Sequence, residues 1–272
     1  MNYSNWMTFG FIGCGHMGGA LAAAARQKLP GEQILLANRT PEKARALAEK
    51  LGARAATNIE AAEKSDYLFL GVKPQMMAGM LVGIHETLAV RNRPCVLVTM
   101  AAGLTIATIR RMAGMDFPVI RIMPNTPAAI GKGMILCCAD GVDKEQLDDF
   151  TEIMSGAGVL DFIDEHLIDA GSAVSGCGPA FAAMLMEALA DGGVACGLPR
   201  AKAQLYAAQM LLGTAALALE TGEHPGAMKD AVCSPGGSTI QGVRALEAAG
   251  FRGAAFEAVI AAYEKTLELG KR

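Results

Sequence analysis

The segment Gly13-Cys14-Gly15-His16-Met17-Gly18 constrains this chain more than any other, because of what stands on either side of it. An apolar run over residues 8–12 precedes it and an alanine-rich stretch follows. Three glycines spaced G-x-G-x-x-G between a strand and a helix have separate tasks. The first allows a tight turn, the second lets a pyrophosphate approach the backbone, and the third lets helix and strand pack closely. The helix N-terminus then offers free N–H groups to the phosphates. Gly13, Gly15, His16, Met17 and Gly18 are therefore candidate dinucleotide-binding residues.

The remainder of the first half repeats this alternation. Apolar runs at 8–12, 33–37, 67–72, 95–99, 119–123, 134–139 and 159–162 predict strands, with amphipathic segments between them, as in βαβ units. Thr40 predicts a helix cap with Pro41 in the first position and Gly52 at the end. After about Asp164 no strand pattern remains. Long apolar stretches predict helices over 179–196, 199–221, 239–249 and 256–269. The expected fold is α/β: an N-terminal Rossmann domain with a doubly wound, mostly parallel sheet (1–164), then an all-helical domain (165–272).

Composition narrows the partners. A net charge of −3 over 272 residues argues against a nucleic-acid backbone. Hydrophobic residues make up 52% and charged residues 19%, which requires either a membrane or extensive buried contact. A span needs about 20 apolar residues in a row. The stretch 179–197 carries Glu187 and Asp191, and 205–219 is too short, so no membrane is expected. A homodimer with intermeshed helices is expected instead, with a larger oligomer of dimers left open, and the carboxylates of Glu187 and Asp191 are expected to be satisfied at the subunit contact. The seven cysteines form no CxxC pair and the four histidines lie far apart. Reduced thiols, no metal and a cytoplasmic location follow as expectations; the N-terminus shows no export signal.

The residues closing the second strand select the dinucleotide. An acidic side chain there receives the adenosine ribose in NAD binders. This chain has Asn38, Arg39 and Thr40. The Arg39 guanidinium suits a 2'-phosphate, so NADPH and NADP+ are favoured, with NADH left open. Three further segments fall where strand ends place ligands: Val72-Lys73-Pro74, Ala101-Ala102-Gly103, and the loop holding Asn125. Lys73 and Asn125 are candidates to hold ribose or carboxamide groups.

The helical half holds two unusual stretches, 169–180 and 232–239, each rich in glycine and serine before an apolar helix. Such a run makes a nest of donors suited to a carboxylate. Ser238 or Thr239 alone would suffice for a cap, so the whole run is more than capping requires.

These two stretches, with Gly13–Gly18 and Met123-Pro124-Asn125-Thr126-Pro127, closely resemble pyrroline-5-carboxylate reductases. The resemblance implies a helical dimerisation domain and hydride transfer from NAD(P)H to a cyclic imine acid, giving L-proline in the last step of proline biosynthesis. It further implies that Ser234, Gly236, Gly237, Ser238 and Thr239 bind the substrate carboxylate and ring nitrogen, and that Lys73, Pro74, Ala101, Ala102 and Asn125 border the nicotinamide. Two residues depart from the usual pattern, Phe181 where tyrosine is common and Cys177 where serine is. Thr239 is the candidate catalytic partner of the ring nitrogen, since a hydroxyl can donate or accept. Alternatives are reduction of another cyclic imine or carbonyl acid, and a non-catalytic NADP(H) sensor. A β-hydroxyacid dehydrogenase would resemble its family in having a lysine soon after the first glycine stretch, and none occurs between Glu165 and Lys202.

Overall fold

The computed structural model describes residues 7–270. The elements in order are β1 (Phe9–Ile12), α1 (His16–Arg26), β2 (Ile34–Ala37), α2 (Pro41–Leu51), β3 (Arg54–Ala55), α3 (Asn58–Lys64), β4 (Tyr67–Leu70), α4 (Pro74–Ala89), β5 (Val96–Thr99), α5 (Ile106–Ala113), β6 (Val119–Met123), β7 (Gly133–Asp140), α6 (Lys144–Met154), β8 (Gly158–Phe162), α7 (Ile168–Ser175), α8 (Gly178–Ala195), α9 (Arg200–Thr221), α10 (Pro225–Ala231), α11 (Ser238–Ala248) and α12 (Phe251–Gly270). The backbone forms two compact units. One takes in residues up to Gly176 and those from Ala262 on; the other is Cys177–Ala261.

In the first unit the sheet order is β3-β2-β1-β4-β5-β6-β7-β8. Strands β1 to β6 pair in parallel, β7 runs antiparallel to β6, and β8 is parallel to β7. Every residue of β1, β2, β4, β5 and β6 is buried, because helices cover both faces of a parallel sheet and leave no polar side. On one face Phe9, Phe11, Tyr67, Phe69 and Phe150 form a chain of aromatic contacts, with Phe11 and Phe69 stacked at 4.3 Å between centroids. On the other, Leu68, Leu70, Leu97 and Val119 meet Leu81, Ile84 and Ile109 of α4 and α5.

The expected Rossmann sheet is thus present, with β3 as one strand more than the apolar runs disclosed. Gly52 ends α2 in the left-handed conformation, at φ 62°. The order reverses between β1 and β4, so the loops after these strands flank the crevice where open α/β sheets bind ligands.

The second unit is helical, as expected, but two helices escaped the sequence reading. The first part of the 169–180 stretch, read as a glycine-serine nest, lies in α7 (Ile168–Ser175) in the first unit, and α10 fills 225–231. Helices α8 and α9 pack together through Ala190, Ala203 and Ala207, the buried apolar residues of this unit. Met184, Leu205, Leu212 and Phe256 remain more than half exposed. The helical run Glu165–Ala195 is long and apolar enough, by length and composition, to cross a bilayer. It is made of a 3-10 turn (Glu165–Leu167) and two helices, α7 and α8, with Gly176 and Cys177 between the helices.

Candidate active site

At the carboxyl end of β1 the three glycines of the motif differ in their surroundings. Gly13 has φ 99°, and a Cβ there would lie 2.6 Å from the Gly71 carbonyl, across the crevice after β4. Its N–H donates to the Ala37 carbonyl at 2.9 Å, while the Gly71 N–H donates to the Ile12 carbonyl at 2.7 Å. A Cβ on Gly18 would come within 2.4 Å of the Gly13 carbonyl oxygen, so glycine alone lets α1 start this close to the strand. Gly15 differs, since a Cβ there would meet nothing within 4 Å. It occupies the N-cap of α1 and supplies no side-chain cap, so the N–H groups of His16, Met17 and Gly18 open the helix without an internal acceptor. A close-packed loop with one open glycine at an uncapped helix start fits a pyrophosphate.

The sequence reading passed over Cys14. Its buried thiol lies 3.4 Å from the Ala37 carbonyl, tying the glycine loop to the end of β2. Burial pushes the thiol up to about 11, so it stays protonated and serves as a donor. Just beyond Ala37, Asn38 donates through Nδ2 to the Thr40 carbonyl at 3.2 Å, which shapes the turn into α2. Thr40 holds the N-cap of α2, yet its hydroxyl makes no cap bond. Arg39 is exposed, and among the described residues no acidic side chain pairs with it. A fixed charge, a free hydroxyl and an amide therefore stand together where a 2'-phosphate would be read.

On the far side of the crevice, Val72 is half-buried and Lys73 is the N-cap of α4, with Pro74 in its first position. After β5, Ala101 is buried and its N–H points to the Thr99 hydroxyl at 3.4 Å; Ala102 is half-buried. Gly103 has φ 74°, and a Cβ on it would lie 2.8 Å from the Gly270 nitrogen near the end of α12. Asn125, 8% exposed, is already engaged. Its Oδ1 accepts from the Met134 N–H at 3.0 Å and its Nδ2 donates to the Ser175 carbonyl at 2.9 Å. One amide hydrogen is left for a ligand.

The helical unit carries the other candidate residues on one short stretch. Ser234, Pro235, Gly236 and Gly237 form a β-turn, closed by the Gly237 N–H on the Ser234 carbonyl at 3.0 Å, with Gly236 at φ 72°. Proline in the second position and glycine in the third are what a type II turn requires. The Ser234 hydroxyl lies over Gly237, where a Cβ would come within 2.4 Å of its oxygen. Gly237 is the N-cap of α11 and leaves the helix start without a side-chain cap. Ser238 and Thr239 fall in the first turn, so neither caps the helix, and neither hydroxyl has a partner among the described residues. Asp191, expected to find its partner at a subunit contact, is paired by Arg200 of the same chain.

A family model for pyrroline-5-carboxylate reductase dimerisation matches residues 165–269, and one for coenzyme F420-dependent NADP oxidoreductases matches residues 8–103. A curated Escherichia coli (strain K12) protein named pyrroline-5-carboxylate reductase is 43% identical over 267 residues, covering 96% of this chain and 98% of that protein. This chain belongs to the pyrroline-5-carboxylate reductase family. A Synechocystis member is 48% identical over 216 residues, 79% of each chain. Two solved reductases of the family share the fold. The Coxiella burnetii structure superposes with a TM-score of 0.88 at 29% identity, covering 98% of this chain and 100% of that one. The Plasmodium falciparum structure, which has NADP bound, gives 0.87 at 28% identity, with 97% and 98% covered.

Proposed function

We propose that this chain reduces pyrroline-5-carboxylate to L-proline with NADPH, the last step of proline biosynthesis, as a cytoplasmic homodimer. The observation that carries this reading is the start of α11, where a glycine N-cap and two unpartnered hydroxyls leave a compact set of donors for a small carboxylate. We assign residues 1–164 to dinucleotide binding and 165–272 to dimerisation and substrate binding.

When bound, NADPH supplies the hydride that the imine carbon accepts. Gly13, Gly15, His16, Met17 and Gly18 hold its pyrophosphate, and Asn38, Arg39 and Thr40 hold the 2'-phosphate. Val72, Lys73, Pro74, Ala101, Ala102 and Gly103 border the nicotinamide. Ser234, Gly236, Gly237 and Ser238 receive the substrate carboxylate. The Thr239 hydroxyl hydrogen-bonds the ring nitrogen, holding the C=N bond in one orientation and supporting its proton. Orientation of this kind contributes on the order of 7 to 11 kcal/mol, and a ring nitrogen that already carries its proton when the hydride arrives gives the amine without a separate acid. The apolar faces of α8, α9 and α12 are covered by a second copy, since the unit has few buried apolar residues of its own.

The test is the initial rate of cofactor oxidation, read by absorbance, with purified protein and pyrroline-5-carboxylate, in parallel runs with NADPH and NADH. Substrate-dependent loss of NADPH, faster than that of NADH, is expected. Binding of NADPH without turnover would leave the dinucleotide assignment standing and remove the substrate.

A further inference from the structure

Helix α7 ends two residues before the chain enters the helical unit at Cys177. Its two ends are held from β6 and from the loop that follows it. In the first turn, Asp169 accepts from Arg121 Nη2 at 2.6 Å. Just upstream, Glu165 accepts from Arg121 Nη1 at 3.4 Å and from the Ile106 N–H at 2.7 Å. Arg121 lies on β6 and is 1% exposed, and its Nε has no partner, so this charge is committed to the two carboxylates. In the last turn, the Ser175 carbonyl is one of the acceptors that a helix end leaves without an internal donor. Asn125 supplies that donor.

The spacing suits both contacts. Arg121 and Asn125 are four residues apart along an extended segment, about 13 Å, and Asp169 and Ser175 are six apart on a helix, about 9 Å. The long Arg121 side chain takes up the difference. Asn125 itself has little freedom: Pro124 precedes it, Pro127 follows two positions on, and its Oδ1 is fixed on Met134 at the start of β7.

We infer that Asn125 and Arg121 are positioning residues which clamp α7 at both ends, Arg121 from β6 and Asn125 from the loop after it, and that this clamp, rather than contact with the dinucleotide, is Asn125's contribution to turnover. The clamp fixes α7 from its first turn to its last, within the first unit. The turnover part of this inference rests on the reductase reading above; the clamp itself does not.

Asn125→Asp keeps the acceptor for the Met134 N–H and removes the donor to Ser175. The clamp requires faster amide hydrogen exchange over residues 168–175, with exchange over 13–19 unchanged. It also requires kcat lower by about tenfold while the Kd for NADPH stays within about twofold. Asp169→Ala, away from the glycine loop, removes the acceptor at the other end and is expected to reproduce the same split, and it carries the test should the Asn125 variant fold poorly. Unchanged exchange over 168–175 in both variants would overturn the clamp. So would a Kd for NADPH raised tenfold in Asn125→Asp with kcat at saturating cofactor retained, because Asn125 would then be reading the dinucleotide. A wild-type protein that turns over no pyrroline-5-carboxylate would remove the substrate reading, while the exchange data would still decide the clamp.

Discussion

Single atoms separate the roles of residues that look alike in sequence. Gly13 and Gly15 belong to one motif, yet a Cβ on Gly13 would strike the Gly71 backbone while one on Gly15 meets open space. Gly13→Ala, strained at φ 99° and short of room, is expected to lose about 1–3 kcal/mol of stability and with it the crevice. Gly15→Ala should keep the wild-type Tm and bind NADPH at least tenfold more weakly, about 1.4 kcal/mol, because only the ligand needs that space. Thermal melts and NADPH titrations of the two variants check this, and wild-type affinity in Gly15→Ala would place the pyrophosphate elsewhere. At Thr239 the hydroxyl has no capping duty to lose. Thr239→Ala is expected to lower kcat by about tenfold, the worth of one hydrogen bond of about 1.4 kcal/mol, with little effect on NADPH binding. An unchanged kcat would take Thr239 out of the mechanism.

At the scale of elements, strands and helices decide which thiols are reactive. Cys95 and Cys138 border or lie in buried strands, and burial pushes both thiols up to about 11, as it does Cys14 in the glycine loop. A thiol raised in this way is almost wholly protonated at neutral pH, and the thiolate is the nucleophile. Cys196, at the end of α8, is exposed. Alkylation of the native protein at neutral pH, read by peptide mass, should therefore label Cys196 and spare Cys14, Cys95 and Cys138. Labelling of Cys14 with the fold intact would show that the glycine loop opens away from β2. The strands were legible in sequence because complete burial turns each into an unbroken apolar run. Helix α7 was not, since glycine and serine weigh against a helix locally and its stability comes from Arg121, Glu165 and Asn125, distant in sequence. Strand β3 was missed because two exposed residues carry no period.

For the whole molecule, the contrast between the two units governs assembly. The first buries aromatic and aliphatic side chains on both faces of its sheet, whereas the buried apolar residues of the second are three alanines. A unit of that kind needs further apolar contact to be stable. Leu212→Glu, on an exposed apolar position of α9, is expected to shift the protein toward monomer in sedimentation and to lower its Tm. A dimer of wild-type stability in that variant would place the subunit contact on another surface.

The sequence by itself determined the elements whose cause is local or periodic. These are the glycine loop after β1, the buried strands, the α2 helix with its Gly52 stop, and the glycine-rich approach to α11. Backbone sterics and hydrophobic period act over a few residues and can be read there. The tertiary structure decided the rest: the reversal of β7, the tie from Cys14 to β2, the folding of α7, and the engagement of Asn125 by Met134 and Ser175. Each of these depends on partners beyond the few residues that set local structure, nine along the chain for Met134 and 50 for Ser175, and a buried polar group takes whichever partner the packed fold brings within reach.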